Sequence, residues 1–591
     1  MAARQPHEAE ILLPPGPITD SAASRPSLAN SLGVPALSHG GMRESQYSSS
    51  SINKPYDPYG ETGTWYYDPK DPFRNKAQAQ SWTPPLNQAW KFGEDKIRGV
   101  GMGGWFVLEP FTSPSLFEPY MNATNPAVDE WTLSEHIAAD SSSGGLQKVL
   151  EEHYSTFITE EDFAQVAAAR LNWVRIAIPY WVIEIAPGEP FLEEVSWNSH
   201  NGYNHSGMLG PLGWLSGTMG IANAQRTLNH IRIITQFISQ PQYKDVIPVF
   251  GVINEARLGV IQRDPLERFY LEAYNIMRNI TGIGEGKGPW MSVHDGLDPL
   301  ERWADSMPGG DRIMLDAHPY FFFDVQDLSP VAEQTKKPCT QRAAEFNASM
   351  SAFGMTTAGE FSNAFNDCGF FFNGVKLGAR YDGTFSGYSG PNGGAGSCIK
   401  WMDDRLWSNM HSSFDTFQHF FFWTWKGNRV ASPLWSYKHD LENGFIPTDP
   451  REAACAWGGG SPWTGPLPAS KTDGVGAGTI PASYATARAW PSPSLSGIPN
   501  AATLPTYTAT GTIRSLSAAE FTGAPGIDAG NGWANSADQA GLYVPVAGCA
   551  YPSSAWGDTV VATRTACSGA ASAKRTVRGR YALPQENGVP A

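Results

Sequence analysis

Seven short runs rich in β-branched and aromatic residues recur through the middle of this chain, with helical stretches between several of them. No other feature limits the fold as strongly. The runs are IRGVGMGGWFV from Ile97, LNWVRIAI from Leu171, VIPVFGVI from Val246, PWMSVHD from Pro289, RIMLDAH from Arg312, MTTAGEF from Met355 and HFFFWTW from His419. Between them, LQKVLEEHYSTF and EEDFAQVAAARL read as helices, the second capped by Thr159 ahead of three acidic residues. ANAQRTLNHIRIITQFI reads as an amphipathic helix. Such alternation predicts an α/β fold, a parallel sheet closed into a TIM (β/α)8 barrel. An eighth unit is missing from the pattern. Between the second run and the helix near Ala222 lies only a loop-like stretch with no β-branched run. The expectation is a TIM barrel lacking one strand-helix unit. Strand number, tilt and shear are linked, so such a barrel must close badly or recruit another segment, and an open edge would invite aggregation.

The flanks differ in composition. Residues 1–64 are rich in Ser, Pro, Gly and Ala and read as a disordered N-terminal tail. Residues 65–457 hold the barrel, and 458–591 turn to Gly, Ala, Ser, Thr and Pro, as expected of an extended tail with a small loop closed by Cys549 and Cys567. The start, MAARQPHEAEILLPPGP, has no signal-peptide core, and no apolar run is long enough to span a bilayer. A net charge of −15 argues against nucleic acid as a partner. The 71 aromatic residues (21 Trp, 21 Tyr and 29 Phe) suit sugar stacking and large cores equally well. No Cys/His cluster has metal-ligand spacing, so no metal is expected. Six cysteines, all in the C-terminal half, are compatible with disulfides, and Asn122, Asn204, Asn279 and Asn347 open sequons that permit glycosylation.

Two carboxylates stand where such a barrel keeps its chemistry, at the C-terminal ends of strands. Glu255 ends VIPVFGVINEA and Glu360 ends the MTTAGEF run. Two carboxylates facing one bond are what glycoside hydrolysis needs, although each alone also suits a surface position. Asn254, beside Glu255, has an amide suited to a sugar 2-hydroxyl. Arg175, flanked by apolar residues, calls for a buried carboxylate partner, and Glu360 fits that need. His318 and Tyr320 share one face of an extended segment. Either Trp423 or Trp425 could be a sugar platform, with the other in the core. Glu109 fits hydroxyl binding or a surface position.

Taken in order, this set strongly resembles glycoside hydrolase family 5, with greatest similarity to the fungal exo-1,3-β-glucanases. IRGVGMGGWFVLEPF is similar to the family's first-strand motif, LNWVRIAIPYW to its second and PLWSYKHDLENGFIP to its final loop. The resemblance implies retaining release of glucose from the non-reducing end of β-1,3-glucan, without a cofactor, at the cell surface or in the wall. Glu255 would be the acid/base and Glu360 the nucleophile, surrounded by Arg175, His318 and Tyr320. Asn254 would bind the 2-hydroxyl, Glu109 the non-reducing-end hydroxyls and Trp423 the terminal glucose, with Tyr203 and Phe323 flanking the next sugar. It also implies Cys339–Cys455 and Cys368–Cys398 disulfides. A non-catalytic glucan-binding barrel, or the same chemistry on β-1,6-glucan, are the rival readings.

The chain departs from the family in four places. A helix, a third strand and an Asp-x-His-Gly segment are absent between Trp197 and Asn201, where the flanking motifs nearly touch. Coding sequence removed as an intron is the simplest account, and a chain made as written is expected to be unstable, inactive or both. Gly101 stands where the family has Asn, and Ala256 where it usually has Pro. The single membrane anchor of larger fungal members has no counterpart in this sequence.

Overall fold

All seven runs form strands, and the strands are parallel. The computed structural model describes residues 9–13, 78–185, 188–192, 213–321, 323, 326–385, 393–394, 396–398, 409–428, 432–452, 463–468, 479–509 and 543–544. A first strand, β1, spans Ala9–Leu13. The seven expected ones follow as β2 (Arg98–Gly101), β3 (Trp173–Ile178), β4 (Val249–Gly251), β5 (Trp290–His294), β6 (Ile313–Ala317), β7 (Thr356–Phe361) and β8 (Phe420–Phe422). Parallel ladders join β3 to β2, β2 to β8, and then β7, β6, β5 and β4 in turn. Every residue of β5, β6 and β7 is buried, as expected of parallel strands covered on both faces.

The gap left by the missing unit is filled. β1 lies between β3 and β4 and pairs antiparallel with both, from Ala9 opposite Ile178 to Leu13 opposite Val174, and with Glu10 opposite Gly251. The barrel therefore closes. Of the N-terminal tail, residues 1–64, only Ala9–Leu13 is described, and it forms this strand. The physical reason is the ladder: without a neighbour, β3 and β4 would each carry a row of unpaired N–H and C=O groups, and AEILL is an apolar segment able to supply them.

The frame around this gap is held independently. Glu184 and Glu189, before the undescribed residues 193–212, meet Arg226 of the helix Gly220–Ile238 at 2.9 and 3.1 Å. His230 of the same helix reaches Glu184 at 3.0 Å, and the Tyr180 hydroxyl donates to Glu189 at 2.9 Å. Burial pushes the Glu184 carboxyl up, but Arg226 and His230 outweigh it and hold it down at about 2. This helix, expected to be amphipathic, is buried on most of its length, because the barrel lies on one side and residues from 479–509 on the other. Those residues, assigned by composition to the tail, also dock: Leu495, Ile498, Ala501 and Leu504 join the main core, and Arg488 bonds Glu267 at 2.6 Å. Their few apolar side chains decide the packing where the average composition pointed to a linker.

The N-terminal end of the barrel is plugged. Ile97, Trp173, Val249, Trp290, Met314, Met355 and Phe421 form one cluster, with Trp90 and Phe92 packed against it. Cys368 and Cys398 are joined in a disulfide, and Cys339 is disulfide-bonded to a cysteine outside the described residues. Cys455 and the Cys549/Cys567 loop also lie outside them. Among the described residues, no helix is long and apolar enough to cross a membrane.

Candidate active site

Strand ends from around the barrel deliver polar and charged side chains to one point. Arg175 comes from β3, Asn254 and Glu255 from just beyond β4, His318 and Tyr320 from beyond β6, and Glu360 from β7. Arg175 donates to Glu360 Oε1 at 2.7 Å and to Asn254 Oδ1 at 3.0 Å. The Tyr320 hydroxyl donates to Glu360 Oε2 at 2.7 Å. His318 Nδ1 lies 2.7 Å from Glu255 Oε1 and 3.7 Å from Glu360 Oε2. One imidazole nitrogen thus faces both carboxylates. The Glu360 side chain is 1% exposed and that of Glu255 is 14% exposed, so one carboxylate is sealed and the other partly reaches solvent. Glu255 holds a left-handed backbone, φ 41°. For a residue with a Cβ this costs on the order of 1 kcal/mol or more, and it turns the side chain away from the course of the strand.

The histidines divide into one charged and one neutral. Burial pulls His318 down, but the Glu360 charge and the bonds to Asp316 and Glu255 outweigh it, and its pKa stands well above the ordinary value. His294, at the end of β5, packs edge-on against His318 with ring centroids 4.5 Å apart. Burial, and then the His318 charge, push it well below the ordinary value. Ligand atoms of Glu255, His294 and His318 lie within 4.8 Å of one another. Yet Glu255 is already bonded to His318 Nδ1, and His294 Nδ1 accepts the Gly296 N–H at 3.0 Å. A metal there would have to replace the Glu255–His318 bond, whereas the buried Nε2 of His294 has no hydrogen-bond partner among the described residues.

The sign of the His318 shift has a measurable consequence. A base held protonated by the fold contributes stability that is complete below its unfolded value, about pH 6.5, and is lost as pH rises through the folded one. The melting temperature of the wild-type chain is expected to fall as pH rises above neutrality, and His318→Asn to lose that part of the slope. Equal slopes would mean His318 is neutral in the fold.

Glycines set the remaining walls. A Cβ on Gly359 would lie 2.0 Å from Asp316 Oδ1, so the carboxylate behind His318 occupies the space a side chain would take. A Cβ on Gly101 would meet Trp423 Cε3 at 2.6 Å, and one on Gly103 would meet Cζ2 at 2.5 Å. The Trp423 ring rests on bare backbone, and glycine at 101 is what lets it. Gly101→Ala is therefore expected to cost about 1–3 kcal/mol by overpacking, read from urea unfolding. A variant as stable as the parent would show that the ring has room to move.

Both tryptophans are buried, with different partners. Trp425 Nε1 donates to Asp162 Oδ1 at 3.0 Å and its ring stacks on Tyr437, which makes it core. Trp423 lies beside the cluster, with the Arg175 guanidinium 5.4 Å from its ring centre. Phe323 packs edge-on against Tyr320. Glu109 is buried in the loop after β2. Tyr203 lies outside the described residues. The sequence reading missed His294 and Asp316, and it missed Trp435, whose ring lies 5.1 Å from Tyr320. Asp316 stands two residues before His318, on the same face of the strand, and that spacing was a usable signal.

No family model matches the chain. The probable glucan 1,3-β-glucosidase D of Aspergillus niger is 31% identical over 447 residues, covering 67% of this chain and 52% of that protein. The protein of the same name from Aspergillus terreus is 32% identical over 416 residues, covering 62% and 48%. The chain thus spans about half the length of the curated relatives it matches. The crystal structure of rutinosidase from Aspergillus niger aligns at 14% identity with a TM-score of 0.40, covering 61% of this chain and 99% of that one. By sequence, this chain is a homologue of the fungal proteins named probable glucan 1,3-β-glucosidase D.

Proposed function

We propose that the barrel carries a retaining glycosidase site that releases glucose from the non-reducing end of β-1,3-glucan. The observation that carries this reading is the placement of two carboxylates on one imidazole nitrogen. Their nearest oxygens can be no farther apart than the 2.7 and 3.7 Å contacts laid end to end. Such proximity favours the short carboxyl spacing of a retaining enzyme, about 5–5.5 Å, over the roughly 6.5–9.5 Å of an inverting one. Glu360, fixed as an anion by Arg175 and Tyr320, attacks the anomeric carbon and forms a glucosyl ester. The more open Glu255, which shares a proton with His318, protonates the departing glycosidic oxygen. Glu255 then takes a proton from the water that hydrolyses the ester. Asn254 fits the 2-hydroxyl: Arg175 holds its carbonyl oxygen, and its buried Nδ2 has no partner among the described residues. Trp423 would lie under the terminal glucose and Glu109 would bind its hydroxyls, with Phe323 and Tyr203 flanking the next sugar.

The curated names of the relatives support β-1,3-glucan as the substrate, and the Cys368–Cys398 disulfide supports an oxidising, extracellular or wall location. One observation favours a second reading, a non-catalytic glucan-binding barrel: the third-strand slot holds an antiparallel segment, and no loop following a parallel strand there is found among the described residues. Incubation with laminari- and gentio-oligosaccharides separates these. The expected result is glucose released first as the β-anomer, from laminari-oligosaccharides in preference. Initial α-glucose would overturn the retaining mechanism, and binding without release would establish the second reading.

A further inference from the structure

β1 differs from every other strand of the barrel in two ways. It runs against the seven parallel strands, and it is joined to the next strand only through residues 14–97. A strand belonging to the α/β repeat would be parallel and bracketed by crossover helices. An extended segment that adds to open sheet edges through main-chain bonds is instead the mode by which sheets bind peptides. Arg226, on the helix that precedes β4, bonds Glu184 and Glu189, which follow β3, so the flanks of the gap are tied together by contacts that do not involve β1. β1 also touches the site through the backbone. Leu12 is the register partner of Arg175, whose side chain holds Glu360, and Glu10 is the partner of Gly251, three residues before Asn254.

We propose that the space between β3 and β4 is a peptide-binding groove for an extended apolar segment, that Ala9–Leu13 occupies it as a ligand tethered in cis, and that its occupancy sets the position of Arg175 and hence of Glu360. The last clause rests on the glycosidase reading; the groove itself does not. A tether makes docking intramolecular, so a short ladder suffices where a free peptide would bind weakly. The groove is selective for backbone that can donate and accept on both sides, because each edge of the inserted strand meets a ladder.

The test uses a fluorescent peptide of residues 5–18, the full chain and a chain lacking residues 1–20. The peptide is expected to bind the shortened chain and to bind the full chain at least about tenfold more weakly, since its groove is filled. An Ile11→Pro peptide is expected not to bind, because proline lacks the ladder N–H and fixes its own φ. Equal binding to both chains, or none to a shortened chain that circular dichroism shows folded, overturns the groove. If the shortened chain does not fold, full-length Ile11→Pro replaces it. Amide exchange at residues 173–178 and 249–251 is then expected to quicken about tenfold or more, and unchanged exchange overturns the proposal. A concentration-dependent dimer that dissociates on adding peptide would overturn the tether in cis. Glucan hydrolysis by the shortened chain is expected to fall about tenfold or more and to return with peptide, as for a misplaced catalytic group. Full activity without β1 would remove the link to Arg175. A full chain that binds as expected but shows no hydrolysis would sink the glycosidase reading and leave the groove standing.

Discussion

Glu360→Gln is expected to lower turnover of laminari-oligosaccharides by on the order of 10⁴-fold or more while the chain still folds, a loss comparable to removal of other enzymic nucleophiles. The amide is nearly isosteric, and its oxygen still accepts from Arg175 or from Tyr320. It cannot form the glucosyl ester. Glu255→Gln makes a useful contrast. It removes proton donation, worth about 10²–10⁴-fold where the leaving oxygen is a sugar hydroxyl, but much less where an aryl leaving group departs unprotonated. A substrate series with falling leaving-group pKa should therefore rescue the Glu255 variant and not the Glu360 variant. Normal turnover in Glu360→Gln would sink the nucleophile assignment, and rescue in the opposite order would exchange the two roles.

The parallel strands were legible because each is a dense run of β-branched or aromatic residues bounded by polar turns, a signal that burial on both faces imposes on the sequence. The Arg175–Glu360 pair was legible for a related reason: an arginine amid apolar neighbours has to find a carboxylate, and few carboxylates sit at strand ends. The gap after β3 was legible as an absence. What fills it was not. AEILL is five residues long, lies among Ser- and Pro-rich sequence and has no period of its own, so its strand state is set by the edges of β3 and β4. Residues 479–509 were misread for the opposite reason, since a few well-placed apolar side chains outweigh an average composition. That Trp425 packs in the core could not be read without its partner Asp162, which lies 263 residues away in sequence. Gly101, a departure from the family pattern, acquired its reason only when the Trp423 ring was found in the space its side chain would fill.

Arg175→Leu is expected to destabilise the fold by about 3–5 kcal/mol, the usual cost of removing one partner from a buried ion pair. Both members of the pair are 1% exposed, so water cannot replace the guanidinium. The substitution also frees the Asn254 carbonyl oxygen, a second buried acceptor left without its donor. Arg175→Lys should recover only part of the loss, because an ammonium is a point donor and cannot reproduce the fork that spans Glu360 and Asn254. The double variant Arg175→Leu/Glu360→Gln separates the pair from its surroundings. With the buried charge gone along with its partner, it should be less destabilised than the two single losses added, by about 0.5–3 kcal/mol. Urea unfolding of the four chains supplies the cycle. An Arg175→Leu chain within about 1 kcal/mol of the parent would mean that the pair is solvated, and the argument that Arg175 keeps Glu360 ionised would fall with it. Strict additivity would mean that the two residues stabilise the barrel separately, with Arg175 acting chiefly through Asn254.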